Sequence, residues 1–81
     1  MQLQKLDKRF QKYLKSRNLE KKFEKQTVLL LKNFKHPSLN IELLEPKVLG
    51  LYSFRIDRKY RAIFAFHREE ITIIDINDHY Q

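Results

Sequence analysis

Gly50-Leu51-Tyr52-Ser53-Phe54-Arg55-Ile56-Asp57-Arg58-Lys59-Tyr60-Arg61-Ala62-Ile63-Phe64-Ala65-Phe66 is the stretch on which the fold turns. In its first part Tyr52, Phe54 and Ile56 alternate with Ser53, Arg55 and Asp57. After a short polar turn, Tyr60, Ala62, Phe64 and Phe66 alternate with Arg61, Ile63 and Ala65. Side chains change face at every residue of a strand. The stretch therefore reads as two antiparallel strands, over 50–57 and 60–66, each with an aromatic face. The opposite face of each arm carries an arginine, Arg55 and Arg61. Such a hairpin predicts a covering layer on the aromatic side and an anionic ligand on the other.

Working outward, residues 39–45 show a partial alternation and predict a strand before the hairpin, ended by Pro46. Gly50, the only glycine, marks the bend into the first arm. Beyond the second arm, His67-Arg68-Glu69-Glu70 is a polar turn. The β-branched run Ile71-Thr72-Ile73-Ile74-Asp75-Ile76 then predicts a last strand over 71–76, apolar on both faces and so central in its sheet. Upstream the period changes to that of helices. Asp7 is a good N-cap, and Phe10, Tyr13 and Leu14 follow at helical spacing, which predicts a helix over 7–17. Phe23, Thr27, Leu30, Leu31 and Phe34 form one stripe of a second helix over 19–34, widened by Val28 and Leu29. His36-Pro37 ends it. The short link between the helices predicts an antiparallel hairpin. Residues 2–6 alternate weakly, in the manner of a short edge strand. The fold class is α+β, with a helical hairpin packed on a sheet of three or four antiparallel strands. Residues 1–81 are expected to form one domain.

The formal net charge is +7, and it is unevenly placed. Residues 1–35 carry 11 Lys or Arg against 3 Asp or Glu, a balance of +8; residues 36–81 carry 6 against 7, a balance of −1. The lysine-rich helices suit nucleic acid or an acidic protein. A solvated helix surface gives the same composition. No apolar run approaches the roughly 20 residues of a membrane span, and Met1 to Lys5 lacks the apolar core of a signal peptide. The cytoplasm is the expected compartment, with no membrane partner. The absence of cysteine removes disulfides and thiolate metal sites. His36, His67 and His79 share no ligand spacing, so neither a metal nor a cofactor is expected.

The chemistry-bearing set is then Arg55, Arg61, His79 and Tyr80, with Glu42 or Glu45. Arginine holds a phosphate through paired hydrogen bonds and stabilises charge that develops on it. Histidine moves protons near neutral pH, and tyrosine stacks on a base or donates a hydrogen bond. Together these groups can cleave RNA without a metal, through the substrate's own 2′-hydroxyl. Taken singly each has an ordinary reading, as a solvated strand arginine or a tail tucked onto the core.

Gly50-Leu51-Tyr52-Ser53-Phe54-Arg55-Ile56, Lys59-Tyr60-Arg61-Ala62-Ile63-Phe64, Ile71 to Ile76 and Asn77-Asp78-His79-Tyr80 resemble, in order and spacing, the RelE/ParE superfamily of bacterial toxins. His36-Pro37-Ser38-Leu39 after lysine-rich helices is similar to the RelE/YafQ/YoeB side of that group. The resemblance implies a microbial-RNase-like fold, a helical hairpin on a twisted antiparallel sheet. It implies the toxin of a type II toxin–antitoxin pair. On its RelE/YafQ/YoeB side the resemblance implies a ribosome-dependent endoribonuclease that cuts mRNA in the A site of the 70S ribosome and leaves a 2′,3′-cyclic or 3′-phosphate and a 5′-hydroxyl. A cognate acidic antitoxin would bind it, and operator DNA would be met only through that complex. By position, Arg61 matches the family's arginine at the scissile phosphate, and Arg55 matches a second phosphate-binding arginine. His79 matches a general acid, and Tyr80 a residue that orients the substrate. The general base is Glu42 by spacing from Gly50 or Glu45 by its Glu-Pro context. Lys47 stands where RelE uses lysines, and Lys47, Arg58 and Lys59 join Arg55 as expected RNA-binding residues. ParE-like toxins, which inhibit DNA gyrase and cleave no RNA, are the alternative, and an inactive basic RNA-binding relative is a third reading.

Overall fold

The computed structural model describes residues 1–79. In chain order it contains β1 (Gln2–Leu3), α1 (Lys8–Ser16), α2 (Glu20–Lys32), a 3-10 turn at Pro37–Leu39, β2 (Glu42–Leu43), a second 3-10 turn at Lys47–Leu49, β3 (Leu51–Arg55), β4 (Arg61–His67) and β5 (Glu70–Asn77). The five strands form one sheet in the order β1-β5-β4-β3-β2. All neighbours are antiparallel except β1, which runs parallel to β5.

The helices form for local reasons that the sequence displays. Asp7 caps α1, its carboxylate accepting the Arg9 amide at 2.7 Å, and Asn18 takes a left-handed φ of 57° at the turn into α2. Phe10 and Leu14 of α1 and Phe23 and Leu30 of α2 are buried against Phe54, Ala62, Phe64, Ile71, Ile73 and Ile76 of the sheet. Phe23 and Phe54 lie 6.1 Å apart between ring centroids, and Phe54 and Phe64 lie 5.8 Å apart. Each such side chain contributes about 1.5–3 kcal/mol on burial, so this aromatic face is what the helices cover. Coverage stops short of the far end of the sheet. There Leu30, Phe34, Ile41, Tyr52, Phe66 and Ile71 are among the residues lining an apolar groove of about 290 Å³, with Phe34 and Phe66 half exposed.

Three expectations change. The strand predicted over 39–45 is reduced to Glu42–Leu43. Pro37 starts a 3-10 turn, His36 Nδ1 accepts the Ser38 amide at 3.2 Å, and Asn40 leaves the turn in a left-handed conformation with φ 44°. Leu39 is fully buried and pins that turn to the core. The sheet has five strands, because Gln2–Leu3 does pair, with Gln2 N–H donating to Glu69 O and Gln4 N–H to Ile71 O, both at 2.8 Å. The last strand is not central. β5 lies between β4 and the two-residue β1, and only one of its faces is buried. Ile74 is an extra residue with no Cα partner on β4, and it is 44% exposed. This bulge resets the alternation, so Ile71, Ile73 and Ile76 all point into the core.

Candidate functional site

The hairpin register sets the site. Arg55 is paired directly with Arg61, Ser53 with Ile63, Glu42 with Ser53, and Arg61 with Asn77. Paired residues share a face, so Glu42, Ser53, Arg55, Arg61, Ile63 and Asn77 all lie on the face away from the helices. The two arginines therefore stand side by side. Like charges directly opposite one another cost about 0.2–1 kcal/mol in a sheet, a cost that a bound anion relieves.

The sequence reading displays both arginines on an open face, and for Arg61 this is wrong. Arg55 is exposed, but Arg61 is only 4% exposed. Arg61 Nε donates to Ser53 Oγ at 3.1 Å. Its Nη2 donates to Ser53 Oγ at 2.9 Å and to the Asn40 carbonyl at 2.5 Å, with a longer bond of 3.4 Å to the Ser53 carbonyl. Ser53, itself 1% exposed, and the chain leaving the Pro37–Leu39 turn thus hold one edge of the guanidinium. A buried cation is costly unless it is hydrogen-bonded and paired, and these acceptors meet that need. Its carboxylate neighbour is Glu42, whose Oε2 lies 3.6 Å from Nη2. That oxygen is buried and accepts no hydrogen bond among the described residues. Of the two glutamates weighed from sequence, Glu42 is the one brought to Arg61. Glu45 is exposed in the loop that follows β2.

Leu44, Ser53, Arg61, Ile63, Asn77 and His79 line a cleft of about 240 Å³. His79 reaches it from the end of β5 and is 87% exposed at its side chain. The Asn77 carboxamide organises that end, its Oδ1 accepting the His79 amide at 3.1 Å and its Nδ2 donating to Asp75 Oδ2 at 2.8 Å. Tyr80 lies outside the described residues.

The remaining basic candidates do not line this cleft. Lys47 is exposed on the Lys47–Leu49 turn, and Arg58 is exposed between β3 and β4. Lys59 Nζ is 3.9 Å from Asp78 Oδ2, which ties the hairpin turn to the segment bearing His79. Asp57 builds that turn. Its Oδ1 accepts the amides of Lys59 at 2.9 Å and Tyr60 at 2.8 Å, and its Oδ2 meets Lys22 Nζ at 3.4 Å. Burial pushes the Asp57 carboxyl up, but the Tyr60 and Lys59 amides and the Lys22 ammonium together outweigh it. Its pKa is therefore held below the usual carboxylate value.

Ser53, Asn40 and Asn77 have no role in the sequence reading. Ser53 was accessible to it, because its parity with Arg55 puts it on the arginine face. Asn40 and Asn77 act through a backbone carbonyl and a side-chain cap, which leave no residue pattern. The arrangement combines a fixed cation, a second cation beside it, a carboxylate with an unbonded oxygen and an imidazole. Such groups can bind an anion and exchange protons.

No protein-family model matches the chain. A protein of Haemophilus influenzae described as uncharacterized is 35% identical over 43 residues, which span 53% of this chain and 43% of that protein. The aligned stretch thus covers less than half of that relative. Among solved structures, the YoeB/ParE toxin from Agrobacterium tumefaciens superposes with a TM-score of 0.74 at 14% identity, over 99% of this chain and 100% of that one. The YoeB dimer from Staphylococcus aureus gives 0.69 at 21% identity, over 98% and 94%. YoeB in the YoeB-YefM complex from Staphylococcus aureus gives 0.67 at 24% identity, over 85% and 83%. The chain has the fold of these toxins, two helices on a mostly antiparallel five-stranded sheet, as the RelE/ParE resemblance implied.

Proposed function

We propose that this chain is the toxin of a toxin–antitoxin pair and acts as a ribosome-dependent endoribonuclease on mRNA in the cytoplasm. The observation that carries the reading is the meeting of Glu42 and Arg61 at 3.6 Å, in the cleft that His79 also lines and with Arg55 directly across the strand pair. In this reading Glu42 accepts the proton of a substrate 2′-hydroxyl, whose oxygen attacks the adjacent phosphorus. The P–O5′ bond breaks, and His79 gives a proton to the departing O5′. Arg61, with Arg55 beside it, stabilises the charge that gathers on the phosphoryl oxygens. The products are a 2′,3′-cyclic phosphate and a 5′-hydroxyl. Tyr80 would orient the substrate base, and Lys47, Arg58 and Lys59 would contact the RNA backbone.

The same reading gives the chain an antitoxin partner, as YoeB has in the YoeB-YefM complexes. The apolar groove beside Phe34 and Phe66 and the basic helices supply surface for an acidic protein. Among the described residues no helix is long and apolar enough to cross a membrane.

The test is controlled expression in bacteria with 5′ ends mapped on cellular mRNA by primer extension. New cuts within translated codons are expected, lost when translation is blocked. Glu42→Gln and His79→Ala abolish them, while Glu45→Gln does not. Growth arrest with intact mRNA rejects the reading and points to gyrase as the target, to be followed by supercoiling assays.

A further inference from the structure

Ser53 is out of place by packing. It sits at the centre of a strand whose neighbours are Leu51, Tyr52 and Phe54, where aromatic and β-branched side chains are favoured, and it is essentially inaccessible to solvent. A buried hydroxyl needs partners, and both partners described for this one come from Arg61. The consequence lies in how Nη2 spends its hydrogens. The nitrogen carries two. One is directed to the Asn40 carbonyl at 2.5 Å and the other to Ser53 Oγ at 2.9 Å. None is then left for Glu42, whose Oε2 stands 3.6 Å away without a hydrogen bond. A charge-assisted Arg–carboxylate bond would close to about 2.7–2.9 Å.

We propose that Ser53 is a positioning residue that keeps Arg61 and Glu42 apart: by occupying Nε and one hydrogen of Nη2, its hydroxyl stops the guanidinium from capping the carboxylate that must accept a proton. The proposal rests on the ribonuclease reading and deepens it. Without the hydroxyl, the freed Nη2–H turns to Glu42 Oε2. The base is then bonded to a cation, and the lone pair that must take the proton is occupied. Among the described residues, Arg61 on β4, Arg55 on β3, Asp75 on β5 and His79 after it are the other ionisable groups on this face near the cleft, and of these only Arg61 is within ion-pair reach of Glu42.

The experiment is single-turnover cleavage of a defined mRNA on purified, programmed ribosomes across pH, with wild type, Ser53→Ala and Ser53→Thr. Ser53→Ala is expected to slow cleavage at saturating toxin about tenfold, a fraction of the usual general-base contribution. Its half-saturating concentration stays within about twofold, the pattern of an interaction felt in the transition state and not in binding. The acid limb of its pH–rate profile moves about one unit lower, the size of shift a closer opposite charge produces. Ser53→Thr, which keeps a hydroxyl at a strand position, restores the rate and the limb. Lost active protein scales such a profile without moving its limb, so a purely structural role predicts no displacement. If Ser53→Ala does not fold, Ser53→Cys, near-isosteric with a weak acceptor, carries the same test. Cleaving wild type with an unmoved limb in the variant overturns the inference alone. A wild type that cuts no ribosome-bound mRNA overturns the ribonuclease reading and the inference together.

Discussion

Arg61→Ala should be a stability variant as well as a functional one. The side chain supplies hydrogen bonds to Ser53 Oγ and the Asn40 carbonyl and faces Glu42. Truncation leaves the buried Ser53 hydroxyl and the part-buried Asn40 carbonyl without their donor, at about 1–3 kcal/mol each. The Ser53 hydroxyl can rotate toward another partner, so the lower half of that range applies to it. The Glu42 pair adds little, about 0–1 kcal/mol, because the carboxylate side is 39% exposed and solvent screens it. The sum is about 2–6 kcal/mol, whereas a domain of this length has about 4–12 kcal/mol in all. Urea unfolding measures it directly: with a slope near 1 kcal/mol per molar, the midpoint falls by about 2–6 M. Arg61→Lys should lose less, since it keeps the charge and one donor but not the fork. A midpoint for Arg61→Ala within about 0.5 M of wild type would refute the buried clamp, since that is the scale of an ordinary surface change. The practical consequence is that loss of toxicity in Arg61→Ala cannot by itself be assigned to chemistry. Glu42→Gln and His79→Ala are the cleaner functional probes.

Asp57→Asn should cost about 1–3 kcal/mol near neutral pH through the weakened turn bonds, and that cost disappears in acid. The folded-state pKa of Asp57 is lowered, so its contribution is present above the unfolded value, about 3.9, and is lost as pH falls through the folded one. Melting curves of the two proteins should therefore converge below about pH 4. Arg68→Asn with Glu69→Gly should stabilise the fold. Both residues hold a left-handed φ, 50° and 68°, which costs an ordinary side chain about 1–2 kcal/mol each and which Asn-Gly tolerates; an unchanged melting temperature would count against the turn geometry. Arg55→Thr should be neutral to stabilising by up to about 1 kcal/mol, since it removes the like-charge cross-strand pair. Added phosphate should raise the melting temperature of the wild type, and the variant should lose that rise.

The hairpin and its faces were legible because period 2 is a property of backbone geometry, and Tyr52, Phe54 and Phe64 follow it without interruption. The helices were legible for the same reason at their own period. What failed was local. At 39–45 the apolar alternation suggested a strand, but Pro37 and Asn40 impose a 3-10 turn with a left-handed exit, and Leu39 is apolar because it anchors that turn. In Ile71 to Ile76 the run of isoleucines read as a two-faced strand, whereas a bulge at Ile74 lets one face collect Ile71, Ile73 and Ile76. A bulge has no signature beyond the broken alternation that Asp75 already displays. Residue type alone also drew attention to Arg61, Glu42 and His79, but it could not choose Glu42 over Glu45. That choice depends on register, and a slip of one residue sends every side chain to the other face.

The burial of Arg61 explains why the site and the fold are hard to separate. For a chain of this size a well-packed apolar side chain at that position would stabilise more than a cation does. The arginine is instead held by a hydroxyl and carbonyl groups, with its carboxylate neighbour left at a distance. Those dipoles fix the guanidinium in place, and its low-dielectric surroundings screen its charge less than water would. Arg55 across the strand adds a second positive charge rather than a counter-ion. A phosphate entering the cleft would meet two cations side by side, one of them fixed by its hydrogen bonds. On the ribonuclease reading proposed above, a tight Glu42–Arg61 pair would both neutralise the proposed phosphate-binding cation and occupy the proposed base, so both roles would be lost in one step.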